Sequence, residues 1–296
     1  MTEIRIRVLR HSAFYAPLLV TISGGYLEQE GLKAVYDVAS DTRPLPEGLI
    51  SGEVHVAQSA VATSFAPLER GESLEVVHFA QINERDGFFV TARQKPADFQ
   101  WQDLVGQPVL VDHFFQPLAM FKYALSQKGI GLDELKVIDA GDVAAIDRAF
   151  RDGQGAYVHQ QGPAAQQLEH DGIGTVVASV GEVIGPVAFS SLCATPAWLK
   201  TPMALAFMRA YRQARKAVME TPAAELAPLL TDFFPDIDPA VLQRTVAAYQ
   251  HLGCWSEAPR ISAEAYEKTL DVFAFSDAIT RRHSYDEVCC PPPDEI

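Results

Sequence analysis

The 296-residue chain is 48% hydrophobic and 21% charged, with 38 acidic against 24 basic side chains and a formal net charge of −14. That acidity excludes nucleic acid, whose phosphates need a basic footprint, and disfavours anionic membrane surfaces. No apolar run approaches the roughly 20 residues of a membrane-spanning helix, and the length suits one large α/β domain or two lobes.

The run Ile4 to Leu9 alternates apolar residues with arginines, the mark of a strand with one buried face. A polar-aromatic turn, His11 to Tyr15, leads into an apolar helix over Ala16 to Ile22 and a second strand over Ala34 to Val38. A helix is predicted from Ala60 to about Gly71. Strands are predicted over Leu74–Ile82 and Phe88–Thr91, with Asn83–Gly87 as a loop between them. Val109–Val111 reads as a buried strand, followed by a helix over Pro117–Lys128 that Gly129 closes. Strands at Lys136–Ile138, Ala156–Val158 and Thr175–Ser179 alternate with helices at Asp142–Arg151 and Pro163–His170, which reads as parallel α/β. Phe189–Ala194 is a last strand. Pro202–Glu220 carries a helical core stripe, and the Asp236–Pro239 run caps a helix over Ala240–Leu252.

The N-terminus runs straight into a strand without a basic head and apolar stretch, so no secretory signal is read. A cytoplasmic location is expected, or a periplasmic one if the native N-terminus lies upstream. Four cysteines, Cys193, Cys254, Cys289 and Cys290, lack C-x-x-C spacing. The vicinal Cys289–Cys290 pair sits in the proline-rich tail CCPPPDEI, read as irregular and without the further ligands a zinc site requires.

The segment Gly25-Tyr26-Leu27-Glu28-Gln29-Glu30-Gly31-Leu32, the step LISGEVHVA at Leu49 to Ala57, and Asp103-Leu104-Val105-Gly106-Gln107-Pro108-Val109 carry a resemblance. In that order they resemble the solute-binding proteins of ABC transporters for nitrate, sulfonate, taurine and thiamine-pyrimidine precursors. The resemblance implies a two-lobed periplasmic-binding-protein fold of type II, each lobe a mostly parallel sheet flanked by helices. One lobe would comprise residues 1–91 and 188–296 and the other 92–187, with two hinge crossings and a ligand cleft that closes between them. It also implies a small-molecule ligand and, if the protein is exported, an ABC permease as partner.

Ligand contacts in such a cleft come from the carboxyl ends of strands. That rule selects His11, Ser12 and Phe14, Gln58 and Ser59, Arg85 in the Asn83–Gly87 loop, Asp112, His113 and Phe114, His159 and Gln160, and Ser191. Ser59 can cap the helix from Ala60, hold a ligand acceptor, or do both. In the loop Asp112-His113-Phe114-Phe115-Gln116-Pro117, sulfonate and nitrate binders of the family have small residues instead. Aromatic rings beside a carboxylate repel anions and suit a planar, neutral or weakly cationic heteroaromatic ligand. In the other reading the two phenylalanines pack in the lobe core and Asp112 caps the helix. His11, His113 and His159 all fall at cleft-facing strand ends, but none is paired at i, i+4, so no metal is expected.

Two enzyme alternatives share the fold. The yeast thiamine-pyrimidine synthases use a lysine-held pyridoxal phosphate and a consumed histidine. The matching segment here, Gln58 to Ser64, has neither Lys nor His, so no cofactor is expected. Aromatic sulfinate desulfinases place a nucleophilic cysteine after the first strand, where this chain offers Ser12. A serine without a positioned base is a poor nucleophile, so binding without conversion is the reading preferred.

Overall fold

The computed structural model describes residues 1–295. Ten strands form two five-stranded sheets: β1 (Thr2–Val8), β2 (Leu32–Val38), β3 (Val56–Ser59), β4 (Val77–Asn83), β5 (Phe88–Ala92), β6 (Pro108–Leu110), β7 (Lys136–Ile138), β8 (Tyr157–Gln161), β9 (Thr175–Ser179) and β10 (Ser190–Ala194). Strand order is β2-β1-β3-β10-β4 in one sheet and β7-β6-β8-β5-β9 in the other, so both lobes share one topology.

Four strands of each sheet run the same way and the fourth in spatial order is reversed. β10 is antiparallel to β3 and β4, and β5 to β8 and β9. The reversed strands are the two that carry the chain across. β5 follows directly from β4 of the first sheet, and β10 returns from the second. The sequence reading placed Phe88–Thr91 in the first lobe and the crossing near Ala92. Because β5 belongs to the second sheet, the chain crosses at 84–87 instead. The two crossings lie side by side, with Val187 N–H donating to Glu84 O at 2.8 Å and Phe189 N–H to Asn83 O at 3.3 Å.

Most helices start where local chemistry dictates. Asp142 accepts from Ala145 N–H at the head of Val143–Arg151, and Thr201 from Ala204 N–H before Pro202–Glu220. Asp238 does the same for Pro239–Leu252, and Gly129 takes the left-handed φ of +71° that ends Phe115–Gln127. The helix expected from Ala60 is instead a 3-10 turn, Val61–Ser64, followed by Phe65–Glu69. Pro67 has no N–H to give Thr63, so a continuous α ladder cannot run through it. On β1, Arg7 is buried rather than solvated. Its guanidinium is held by Asp37 at 2.8 and 2.9 Å and by Glu53 at 2.7 Å.

Two of the C-terminal helices contact both lobes. The Tyr249 hydroxyl donates to Gly87 O at 3.1 Å and accepts from Gly162 N–H at 2.8 Å. Phe273, on Ala263–Phe275, packs on Phe115 of the second lobe at 4.9 Å, while Phe65 of the first lies 5.5 Å from it. The largest core cluster therefore runs through both lobes. The start of the tail, read as irregular, is tied to the first sheet: Cys289 forms a parallel backbone bridge with His78 of β4, and Cys290 N–H donates to His78 O at 2.9 Å.

Candidate functional site

The carboxyl ends of β1, β3, β6 and β8 and the first residue of β10 converge between the lobes. Two cavities open there. The larger, about 410 Å³, is lined by Arg10, His11, Ser12, Asp112, His159 and Gln160, with the 143–151 and 164–170 helices behind them. The smaller, about 50 Å³, is a slot between Tyr15, Phe88, Phe114, Phe115 and Phe189, with Gln58, Gln116 and Ser190 at its polar points. Arg10 and Gln161 line both. Arg10 bonds Asp112 of the opposite lobe at 2.8 Å and lies over the Phe114 ring at 4.6 Å. One ion pair thus links the lobes and leaves the cleft without an unopposed charge at its centre.

The candidate residues divide by what their side chains already hold. His11 meets Tyr36 hydroxyl through Nδ1 at 2.8 Å and Phe233 O through Nε2 at 2.7 Å. A carbonyl only accepts, so Nε2 carries the proton and the ring is a neutral brace; burial lowers its pKa. Ser12 accepts from Phe14 N–H and donates to Gly162 O across the cleft, both at 3.2 Å, so its hydroxyl closes the lobes rather than facing a base. Asp112 accepts from Phe114 N–H through Oδ1 at 2.9 Å and from Arg10 through Oδ2. Gln58 lines the slot with its amide committed to Leu9 N–H and Ser59 O.

His159 and Gln160 are different. His159 is sandwiched between Phe88 at 4.6 Å and Phe121 at 4.4 Å, and neither ring nitrogen has a protein partner. Burial pushes its pKa down to about 3, so it is a neutral donor–acceptor. Neither amide atom of Gln160 is hydrogen-bonded, nor is Gln116 Oε1, and both residues are buried. Phe114 and Phe115 are 47% and 44% exposed and both wall the slot, so neither is packed away in the lobe core.

Five expected residues lie elsewhere. Phe14 is wholly buried against Phe189 and Tyr249, and Gly87 makes room for it, since a Cβ there would meet its ring at 2.6 Å. Arg85 reaches Gly181 O at 3.3 Å and lines neither cleft cavity. His113 turns its Nδ1–H to Val111 O at 2.8 Å and likewise lines neither cavity. Ser59 meets Thr63 and Ser191 meets His78, on the face of the first sheet opposite the slot. Successive strand residues point to opposite faces, so Ser190, not Ser191, lines the slot.

Arg10 was missed outright, because it falls between the strand read as Ile4–Leu9 and the turn read from His11. Asp147 and Arg151, on the far wall of the larger cavity, form an i,i+4 pair at 2.6 Å that looks like ordinary helix surface in the sequence. Among the described residues no group of three His, Cys, Asp or Glu is placed to hold a metal ion.

A profile described as NMT1/THI5 like matches residues 13–225. The chain belongs to that family. It is an NMT1/THI5-like protein, and its fold resembles that of substrate-binding components of ABC importers. YtlA of Bacillus subtilis (strain 168), named as a candidate binding protein, is 28% identical over 97% of this chain and 87% of its own length. Two solved structures share the fold. The ligand-binding component of an ABC-type import system from Staphylococcus aureus, with zinc bound, has a TM-score of 0.76 at 16% identity, covering 100% of this chain and 98% of that one. The periplasmic aliphatic sulphonate binding protein SsuA from Escherichia coli has a TM-score of 0.74 at 14% identity, covering 99% and 93%. The expected two-lobed α/β architecture is that of this NMT1/THI5-like chain. Among its described residues no helix is long and apolar enough to cross a membrane.

Proposed function

We propose that the protein holds a planar, uncharged or weakly cationic heteroaromatic molecule between its lobes and releases it unchanged to a permease of the ABC type. The observation that carries this reading is the meeting of aromatic walls with unpartnered amides. Tyr15, Phe88, Phe114 and Phe189 offer flat apolar surface in the slot beside the unpartnered Gln116 Oε1, and both amide atoms of Gln160, in the wall of the adjoining larger cavity, lack partners. A primary amide sets a donor beside an acceptor, the complement of a ring nitrogen next to an amino or carbonyl group. The Arg10–Asp112 pair leaves no free cation for a sulfonate or carboxylate, and Asp112 would repel either. That argument separates the ligand proposed here from the sulphonate named for the E. coli protein.

Native mass spectrometry of the purified protein, followed by denaturation and identification of released molecules, tests the reading. An intact heteroaromatic compound is the expected result. A covalent adduct, a pyridoxal phosphate mass or an aliphatic anion would replace it. The Phe114→Ala variant is expected to lose at least about tenfold in affinity for the recovered compound, since aromatic contacts contribute roughly 0.5–1.5 kcal/mol beyond their buried area. Unchanged affinity would remove Phe114 from the site.

A further inference from the structure

Outside the cleft, the first sheet has a second groove of about 400 Å³ beside the Leu45–Ile50 helix. Its apolar walls include Leu9, Leu45, Ile50, Leu74 and Val76. The sheet contributes an unusual polar row to it. Cys193 pairs in register with His78 on one side and Ala57 on the other, so their side chains share the face that Ser59 also uses. His78 is 2% exposed, with Nδ1 on Ser191 Oγ at 2.8 Å; among the described residues Nε2 has no hydrogen-bond partner, and the residue lines the groove. Unlike the nitrogens of His159, that nitrogen is not shut away in the interior: it opens on the groove, where a solute can meet it in place of water.

The groove's electrostatics narrow what that something is. Burial holds the His78 imidazole neutral, with its pKa pushed down to about 3, and pushes the Cys193 thiol up, so neither offers a charge. The other uncharged polar groups on the wall are the Ser59 and Thr63 hydroxyls, already 3.1 Å apart, Ser64 and Ser73. Glu72 and Glu75 stand on the exposed side, where they discourage anions; Arg70 already opposes Glu72 at 2.6 Å.

We propose that this groove is a second small-molecule site, taking an uncharged molecule with a compact apolar body and one hydrogen-bonding head that meets Nε2 of His78. Either histidine tautomer serves. With Ser191 donating to Nδ1, Nε2–H donates to a carbonyl or hydroxyl oxygen; with Nδ1–H donating to Ser191, Nε2 accepts from a hydroxyl. Leu9 and Thr63 line both this groove and the aromatic slot, so the two sites share a wall.

The test uses the full chain labelled with ¹⁵N-histidine and titrated with cyclohexanol, whose hydroxyl suits both tautomers. A His78→Gln variant identifies the His78 signals. The expected result is a saturable shift of the His78 Nε2 resonance without a saturable shift of His159, which reports the cleft. Ile50→Trp, at a half-exposed position on the groove's edge, is expected to fill it and weaken that saturation about tenfold or more, with an unchanged far-UV spectrum. A shift that rises linearly with cyclohexanol would overturn the proposal. Equal saturation in Ile50→Trp, or saturable movement of His159 instead of His78, would overturn it as well.

Discussion

Gln160 is buried in the cleft wall with neither amide atom hydrogen-bonded within the protein, a condition that costs roughly 1–3 kcal/mol per buried group. Gln160→Leu keeps similar bulk and removes both atoms. It is expected to raise the melting temperature while weakening ligand binding tenfold or more, as calorimetry on the two proteins would show. A lower melting temperature with intact binding would make Gln160 a structural residue. Asp86, in the crossing between the sheets, gives a pH signature. Its Oδ1 accepts from Phe88 N–H at 2.6 Å, Oδ2 has no partner, and burial, with the negative Asp112 nearby, raises its pKa to about 7. Because that value exceeds the unfolded one, the folded state binds the extra proton. The stability it contributes is full below about pH 4 and is lost as pH climbs towards 7. Asp86→Asn is therefore expected to flatten the stability–pH curve over that window, gaining at most about 4 kcal/mol on the wild type above it. Urea unfolding at pH 4, 5.5 and 7.5 checks this, and parallel curves for the two proteins would refute it. The glutamines and aspartates are plain in the sequence. Which of them lack partners is not, because that depends on what the rest of the chain brings within about 3 Å.

At the level of elements, capping residues and periodicity carried most of the legible information. Asp142, Thr201 and Asp238 begin helices as their types suggest, since a cap depends on only three or four neighbouring residues. Direction within a sheet is not local, and nothing in Phe88–Ala92 or Ser190–Ala194 marks them as the reversed strands. The helix Pro202–Glu220 was legible as an apolar stripe, which does not include Arg215. In the fold it is wholly buried and donates to Gln81 O and Ile82 O, each at 2.9 Å, and to Ser256 O at 2.5 Å, with Glu84 at 4.0 Å. It thereby locks the helix to the end of β4, where the chain leaves the first lobe. Arg215→Met takes the guanidinium away from these carbonyls in the interior, only Gln81 O keeping a second donor in the Tyr211 hydroxyl at 2.8 Å, and is expected to cost about 3–5 kcal/mol. Arg215→Lys should recover only part, because an ammonium cannot span three carbonyls in a planar fork. Urea midpoints of the two variants measure the difference, and a loss below about 1 kcal/mol for Met would mean the helix is held by its apolar stripe alone.

For the molecule as a whole, the relation between lobes rests on a few cross-links: Arg10 with Asp112, Ser12 with Gly162, and Tyr249 with both Gly87 and Gly162. Tyr249→Phe keeps the ring against Phe14 and removes the hydroxyl, leaving the Gly162 N–H without it. It is expected to raise hydrogen exchange at Gly162 several-fold and to enlarge the radius of gyration without ligand, while ligand restores the compact form. Exchange and small-angle scattering unchanged from wild type would show that the remaining contacts hold the lobes without it. By itself the sequence determined the class of fold, the order of strands and helices, the loops at strand ends that supply the site, and the family. All of these follow from short-range pattern: period two, period 3.6, caps and turns. The tertiary structure decided which face each loop residue takes, so that Ser190 rather than Ser191 and Phe114 rather than Phe14 line the cleft. It also brought Arg10, Asp147 and Arg151 to the site and laid the C-terminal helices across both lobes. Those outcomes depend on contacts between residues about 100 or more positions apart along the chain, as with Arg10 and Asp112, and no local window contains them.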